Sequence, residues 1–475
     1  MTHWMRFAPE LICFFSVAVF LVLAMARQPE PVRNHRASLF LSGLGVLVCL
    51  AAMKVNGDLF AGVYRVDFFS QVFKLLLSIG LFCVLCLCSE LNGISRRYQA
   101  EVFLLLFACT LAMMLLVSGV HLLSIYVALE LSSYCLYILV SLRKDAAMGL
   151  EAGLKYFLVG ISASAVMLFG ISVLYGTTGA LHLNELMRIL PHALERPVVM
   201  VGLFLTLSGF FFKLALCPFH IWAPDAYQGG ANQVAAYIAT VSKVAAAAVL
   251  MRVVGTGALG SGHLVYGLAF LSIATMTIGN LAAIGQTDLK RLLAYSSIAH
   301  AGYILIGILS VGAAGPVGVV FYAAALLLMK LSVFFVVIKV ACTGENPGIA
   351  DLAGLHRRAP ILALLLLVTL FSLAGIPPFI GFTAKLLIFT GAMKAGHFGL
   401  VLVAMLNVVV SLYYYLLVLK AAYFLPYDEA APRIPLSVAA RGFALCAMLL
   451  MVTGGIYPGG LVAVADAAIK ALMQP

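Results

Sequence analysis

Five charged residues stand where a charge is hardest to keep: Glu130, Lys213, Lys243, Lys330 and Lys385 each lie inside a long apolar run. At mid-bilayer depth a charge costs from about 3 to more than about 10 kcal/mol unless it finds a partner or water. Groups kept at that cost, and able to exchange protons, point to ion movement through a helix-bundle interior. Lys213 is the sharpest case, because Pro218 follows it in GFFFKLALCPFHIWAPDAYQGG. A proline inside a helix removes one N–H and clashes with the carbonyl four residues back. Freed backbone groups at membrane depth persist only against protein or a water-filled cavity. Lysine and break together predict a hydrated polar centre.

The other charges are read against the same cost. Glu130, in HLLSIYVALELSSYCLYILV, is the natural partner of Lys213, since each opposes the other's desolvation. A static buried pair with no transport role is the alternative. Lys243, in ATVSKVAAAAVL, has no acidic partner nearby in sequence, and its small neighbours allow close helix approach. Such a lysine can exchange a proton near neutral pH; the alternative is that it snorkels to the interface. Lys385 follows the second break, Gly375-Ile376-Pro377-Pro378, by two helical turns. It reaches either the same central plane or outward toward Lys394. Lys330, in ALLLMKLSVFF, is similarly deep, with no role assigned by its surroundings. His121, His220 and His300 are candidate proton carriers. His220 lies just past Pro218, and His300 reads equally as a packing residue or a relay.

These residues need a scaffold, and the composition supplies one. The chain has 475 residues, 64% hydrophobic and 10% charged, with a mean hydropathy of +1.11. No soluble domain could cover that much apolar surface, so the class is a polytopic membrane protein. The formal charge of +11 is spread singly or in pairs between apolar runs, which suits loops at an anionic leaflet and not nucleic acid. Arg27, Arg33 and Arg36 follow the first apolar run, whereas a cleaved signal carries its charge before it. This predicts a retained first helix with its N-terminus outside. The inner loops then hold Arg33, Arg36, Arg96, Arg97 and Arg143, against Lys54, Arg65, Lys74 and Arg252 on the outer side.

Runs near twenty residues predict about fourteen transmembrane helices, an all-α fold. They fall roughly at 8–26, 37–54, 70–89, 101–119, 121–142, 152–175, 198–227, 232–254, 262–284, 292–312, 317–342, 360–390, 398–425 and 437–460. Aligning Ala215-Leu216-Cys217-Pro218-Phe219 with Gly375-Ile376-Pro377-Pro378-Phe379 superposes the two breaks and pairs spans 4–8 with spans 9–13. Five is odd, so the second copy runs inverted, an arrangement used by secondary transporters. The predicted organisation is a three-helix segment over 1–100, repeats over 101–254 and 262–425, and a C-terminal helix over 437–475.

Cys83, Cys86 and Cys88 in FCVLCLC have metal-like spacing, but in an apolar span they read as small membrane residues. No Gly-rich nucleotide loop, P-loop, haem-attachment motif or iron–sulfur spacing is present in the sequence. Any redox chemistry is expected on another chain.

FKLALCPFHIWAPDAYQGG, DLKRLLAYSSIAHAGYILIG, GIPPFIGFTAKLLIF and EAGLKYFLVGISAS resemble the proton-translocating antiporter-like subunits of respiratory complex I, the bacterial NADH–quinone oxidoreductase. The KRLLAYSSIAHAGY and PFHIWAPDAYQGG wording is most similar to the N branch of that family. The resemblance covers spans 4 to 13. It implies a Glu130–Lys213 pair, Lys243 as the central lysine and Lys385 as that of the exit half-channel. Lys330 departs from the N branch, which usually carries a neutral residue there. The resemblance also implies a non-redox, proton-translocating subunit in the bacterial inner membrane, with its N-terminus periplasmic. No cofactor is expected on this chain. Flavin, iron–sulfur clusters, NADH and quinone belong to partner subunits, namely the other membrane-arm subunits and, through them, the peripheral arm. Two alternatives stand beside this: a subunit of a multi-subunit cation/proton antiporter, and a structural subunit with static charge pairs.

Overall fold

The computed structural model describes residues 3–25, 30–254, 262–310, 314–341, 343–426 and 433–473. Arg27 lies outside the described residues. Apolar runs become helices because a helix satisfies its own backbone groups in lipid. After one turn, α1 (His3–Arg6), come α2 (Ala8–Met25) and α3 (Pro31–Ala52). An antiparallel hairpin, β1 (Gly57–Leu59) and β2 (Tyr64–Val66), leads into α4 (Phe68–Leu87). Asp67 starts α4 through a reciprocal capping box with Ser70, satisfying two N–H groups that the first turn leaves free.

Next come α5 (Gln99–Ser118), α6 (Leu122–Ser141), α7 (Ala146–Thr178) and a short amphipathic helix, α8 (Leu183–Ala193). The first broken span is α9 (Pro197–Leu214) with α10 (Trp222–Gly229). Then α11 (Asn232–Tyr237) passes through one π-helical turn, Ile238–Ser242, into α12 (Lys243–Val254). The remainder is α13 (Gly262–Ile284), α14 (Leu289–Leu309), α15 (Gly315–Val340) and the single turn α16 (Leu355–Arg358). A second broken span, α17 (Pro360–Ala374) and α18 (Ile380–Lys394), precedes α19 (Phe398–Phe424), α20 (Val438–Ile456) and α21 (Gly459–Met473).

Among the described residues, thirteen helices are long and apolar enough to cross a membrane. The fourteenth expected span, 360–390, is the second broken one, in two pieces of 15 residues each. Two features were not expected from the sequence: the hairpin and α8. Both are short polar segments between apolar runs, where hydropathy gives no period to follow. The second helix also begins earlier than expected, at Pro31, so Arg33 and Arg36 lie in its first turns instead of a loop.

The chain divides into two compact units. One ends at Leu268 and takes in the segment from Asp466; the other is Ala269–Ala465. Within the first, the hairpin, Gly119–Leu122 and Leu181–Leu183 join by backbone hydrogen bonds into a small extended cap. Its links are Val120 N–H to Val63 O at 3.1 Å and Leu183 N–H to Val120 O at 2.9 Å. This cap fixes the start of α6, the helix that carries Glu130. His121 lies in it against His182, ring centroids 4.8 Å apart. Burial, and secondarily the neighbouring His182, hold the His121 imidazole below its ordinary range, while Glu185 opposes them.

Candidate functional site

Both breaks are built alike. α9 ends at Ala215 and α17 at Gly375, each in the left-handed region, at φ +59° and +88°. At each, two N–H groups fold back onto the last turn: Leu216 onto Phe211 O at 2.8 Å, and Ile376 onto Phe371 O at 3.0 Å. This is a Schellman closure, for which glycine is the residue of least strain. Pro218, Pro377 and Pro378 sit on the exposed side of the breaks, and the Cys217–Pro218 and Pro377–Pro378 peptide bonds are cis. Carbonyls that a continuing helix would have used point inward instead.

A buried lysine takes up those carbonyls in each unit. Lys243, the residue following the π-helical turn, donates to Leu214 O at 2.7 Å and Lys213 O at 3.3 Å. Lys385 donates to Leu373 O and Ala374 O, both at 2.9 Å. In the alignment of the breaks, 213 and 214 fall opposite 373 and 374, so the two ammonium groups occupy equivalent places. Each also lies 5.1 Å from an aromatic ring centre, Trp222 for Lys243 and Tyr303 for Lys385. The C-terminus of a helix carries about half a negative charge on its unsatisfied carbonyls. At the break, Lys243 thus bonds backbone carbonyls. Neither lysine snorkels: Lys243 is 6% exposed and Lys385 4%.

Glu130 and Lys213, expected as a pair, each hydrogen-bond a serine hydroxyl. Lys213 Nζ donates to Ser133 Oγ at 2.9 Å, and Glu130 Oε1 accepts from the Ser164 hydroxyl. Ser133 lies one turn from Glu130 on the same face of α6. The two charges still share one buried neighbourhood. Lys330 has no acid beside it among the described residues; it donates to Ser296 Oγ at 2.9 Å and Leu293 O at 3.2 Å. His300 is buried between two tyrosines, with Nδ1 2.5 Å from Tyr322 and Nε2 3.3 Å from Tyr415. His220 is half-buried in the first break, its Nδ1 without a partner among the described residues. It is not among the side chains bonded to Lys213 or Lys243.

The close approach of α17 and α18 depends on Gly381. A Cβ there would stand 1.8 Å from Ser372 O, a backbone atom. Gly381→Ala therefore forces the half-helices apart at the carbonyls that hold Lys385. The expected result is a destabilisation of about 1–3 kcal/mol or more, read as a lower melting temperature of the purified assembly. An unchanged melting temperature would show that the break can open without penalty.

Sequence reading missed a direct carboxylate–lysine pair that is fully enclosed. Glu10 Oε1 is 2.9 Å from Lys74 Nζ, both side chains at 0% exposure. Tyr64 OH donates to the same carboxylate at 2.5 Å, and Lys74 lies 5.0 Å from the Tyr64 ring centre. Beside it, Arg252 bonds Asp67 at 2.9 Å and Val117 O at 2.9 Å. Lys74 and Arg252, assigned above to outer loops, are thus interior residues. Their depth was hidden because each lies within two turns of a helix end, where loop and span look alike. Arg143, expected in an inner loop, is also buried and bonds Gln228 O at 2.6 Å, at the end of α10.

Residues 119–411, which contain both breaks, match the family described as NADH:quinone oxidoreductase/Mrp antiporter, TM. A protein of Syntrophobacter fumaroxidans named NADH-quinone oxidoreductase subunit N 2 is 56% identical, over 99% of this chain and 100% of that one. The chain belongs to the NADH-quinone oxidoreductase subunit N family. A solved relative agrees: a chain of respiratory complex I from Thermus thermophilus is 36% identical, with a TM-score of 0.84 over 97% of this chain and 99% of that one. A chain of the Mrp complex of Dietzia superposes at a TM-score of 0.88 over 100% of this chain and 98% of that one. Its identity is 21%, so the likeness is one of fold. Subunit N chains are multi-pass membrane proteins, and the thirteen apolar helices accord with that.

Proposed function

We propose that this chain is a membrane-arm subunit of an NADH–quinone oxidoreductase, and that it moves protons across a bacterial inner membrane without redox chemistry of its own. The observation that carries the reading is the lysine held on break carbonyls in each unit. A lysine that donates to backbone carbonyls can lose its proton while the groups that hold it carry no full charge. Static charge design does the reverse, pairing acid with base, as Glu10 and Lys74 do. Complex I relatives at 56% and 36% identity favour this over the antiporter reading, whose structural relative stands at 21%.

In this reading Lys213 takes up a proton when Glu130 is protonated or moves away. Ser133 and Ser164 are the hydroxyls through which that change is felt. The proton passes to Lys243 and on to Lys385, and each protonated lysine disfavours protonation of the next. Flavin, iron–sulfur clusters, NADH and quinone belong to partner subunits, reached through the other membrane-arm chains. The N-terminus faces the periplasm. The three-helix segment 1–100, the repeats 101–254 and 262–425, and the C-terminal 437–475 are the working divisions.

The test is Lys213→Ala in membranes that retain the assembled complex, with NADH oxidation and proton uptake measured together. Both are expected to fall by about 10-fold or more, since removing a positioned acid–base group typically costs at least that. Unchanged rates with full assembly would make Lys213 a structural charge and overturn the proposal.

A further inference from the structure

The second unit holds a continuous file of buried side chains that the relay above does not use. Lys330 Nζ donates to Ser296 Oγ at 2.9 Å. Ser296 Oγ is 2.6 Å from Tyr415 OH. Tyr415 OH is 3.3 Å from His300 Nε2, and His300 Nδ1 is 2.5 Å from Tyr322 OH. All five residues are buried. The file begins and ends on α15, because Lys330 and Tyr322 both belong to that helix. Eight residues separate them, about 12 Å at 1.5 Å per residue, or more than a third of a hydrocarbon core of about 30 Å. It therefore runs along a membrane-crossing helix, from mid-span toward the Gly315 end.

We propose that Tyr415 is the hydroxyl that passes a proton between Lys330 and His300, on a side-chain wire Lys330–Ser296–Tyr415–His300–Tyr322. The proposal rests on the proton-moving reading given above and gives Lys330 and His300 a shared task within it. Every member can both give and accept a hydrogen bond when Lys330 is deprotonated and His300 is neutral. A file made only for packing would tolerate a donor or an acceptor at each place. One with both at every place can conduct.

The step balances without any further reactant. As an N–H bond of the Lys330 ammonium breaks, Ser296 gains that proton and releases its own to Tyr415. Tyr415 in turn releases its proton to Nε2 of His300. With Nδ1 already protonated, His300 becomes imidazolium while Lys330 becomes the neutral amine. Tyr322 holds the Nδ1–H as its hydrogen-bond acceptor, so the transferred proton ends on the His300 ring. The hydroxyls and the ring must then reset before the next proton. The 3.3 Å link between Tyr415 and His300 is the longest in the file, so it is where conduction is governed.

The experiment is Tyr415→Phe in the assembled complex, which removes one oxygen and keeps the ring. NADH-driven proton uptake is expected to fall about 10-fold, with a larger solvent deuterium isotope effect on NADH oxidation. Tyr413→Phe, on the exposed face of the same helix, is expected to stay within about two-fold of the parent, since it removes no acid–base group from the file. If Tyr415→Phe does not assemble, Ser296→Ala reads the same wire, and Ser296→Thr, which restores a hydroxyl, is expected to recover proton uptake. Unchanged proton uptake and isotope effect in Tyr415→Phe, with Lys213→Ala defective, would overturn the wire and leave the proton-moving reading standing. Unchanged behaviour in both variants would overturn the two together. A defect in Ser296→Ala that Ser296→Thr does not repair would also overturn the wire, because a packing role would explain it.

Discussion

Lys243→Ala is expected to lower NADH-driven proton uptake on the order of 10²-fold, while the subunit remains in the membrane. That is the low end of the effect of losing a positioned acid–base group. In the proposed relay the side chain carries the proton, and it also occupies the carbonyls of Leu214 and Lys213, so its loss removes a carrier and bares the break. Lys243→Arg separates the two roles. A guanidinium can donate to the same carbonyls but does not deprotonate in a protein. Assembly restored by arginine without proton uptake would assign proton exchange to the lysine. Proton uptake restored by arginine would reduce Lys243 to a cap and remove the central step of the relay.

Lys74→Met is expected to destabilise the first unit by about 3–5 kcal/mol, because removing one partner strands the other charge. Glu10 would keep only the Tyr64 hydroxyl, and its Oε2 already has no hydrogen-bond partner among the described residues. The measurement is the melting temperature and membrane abundance of the subunit in Lys74→Met, Glu10→Gln and the double variant. The double variant is expected to recover most of the loss, since a neutral amide beside a thioether leaves no buried charge. Equal losses that simply add would show that the two residues do not depend on each other.

The sequence announced its breaks because proline and glycine act on the backbone directly, and the register of Pro218 on Pro378 superposed two closures built alike. It announced that Lys243 and Lys385 were buried, since no loop signal flanks them. It could not announce what they bond. Backbone carbonyls have no letter, and a search for acidic partners passes over them. Glu130 and Lys213 were placed in one neighbourhood, and two serines, residues of little weight in a hydropathy reading, supply the hydrogen bonds there. Glu10 with Lys74, and Asp67 with Arg252, lie far apart along the chain and near helix ends. Depth there is decided by tertiary packing and not by local composition. Tyr415 was invisible for another reason: in an apolar helix a tyrosine reads as bulk, and only its neighbours show what the oxygen does.

An ammonium group on a helix break is a cation on a tether. Open half-helix ends in other membrane proteins can coordinate a free metal ion through such carbonyls. Here the places beside Leu214 and beside Leu373 and Ala374 are already filled by Lys243 and Lys385. A sodium ion entering either would have to displace a charge that cannot diffuse away. A proton need only add to or leave the nitrogen already there. In the proposed relay the breaks would discriminate by mobility: the one cation that can come and go without displacing its host is the one that binds to the tether itself.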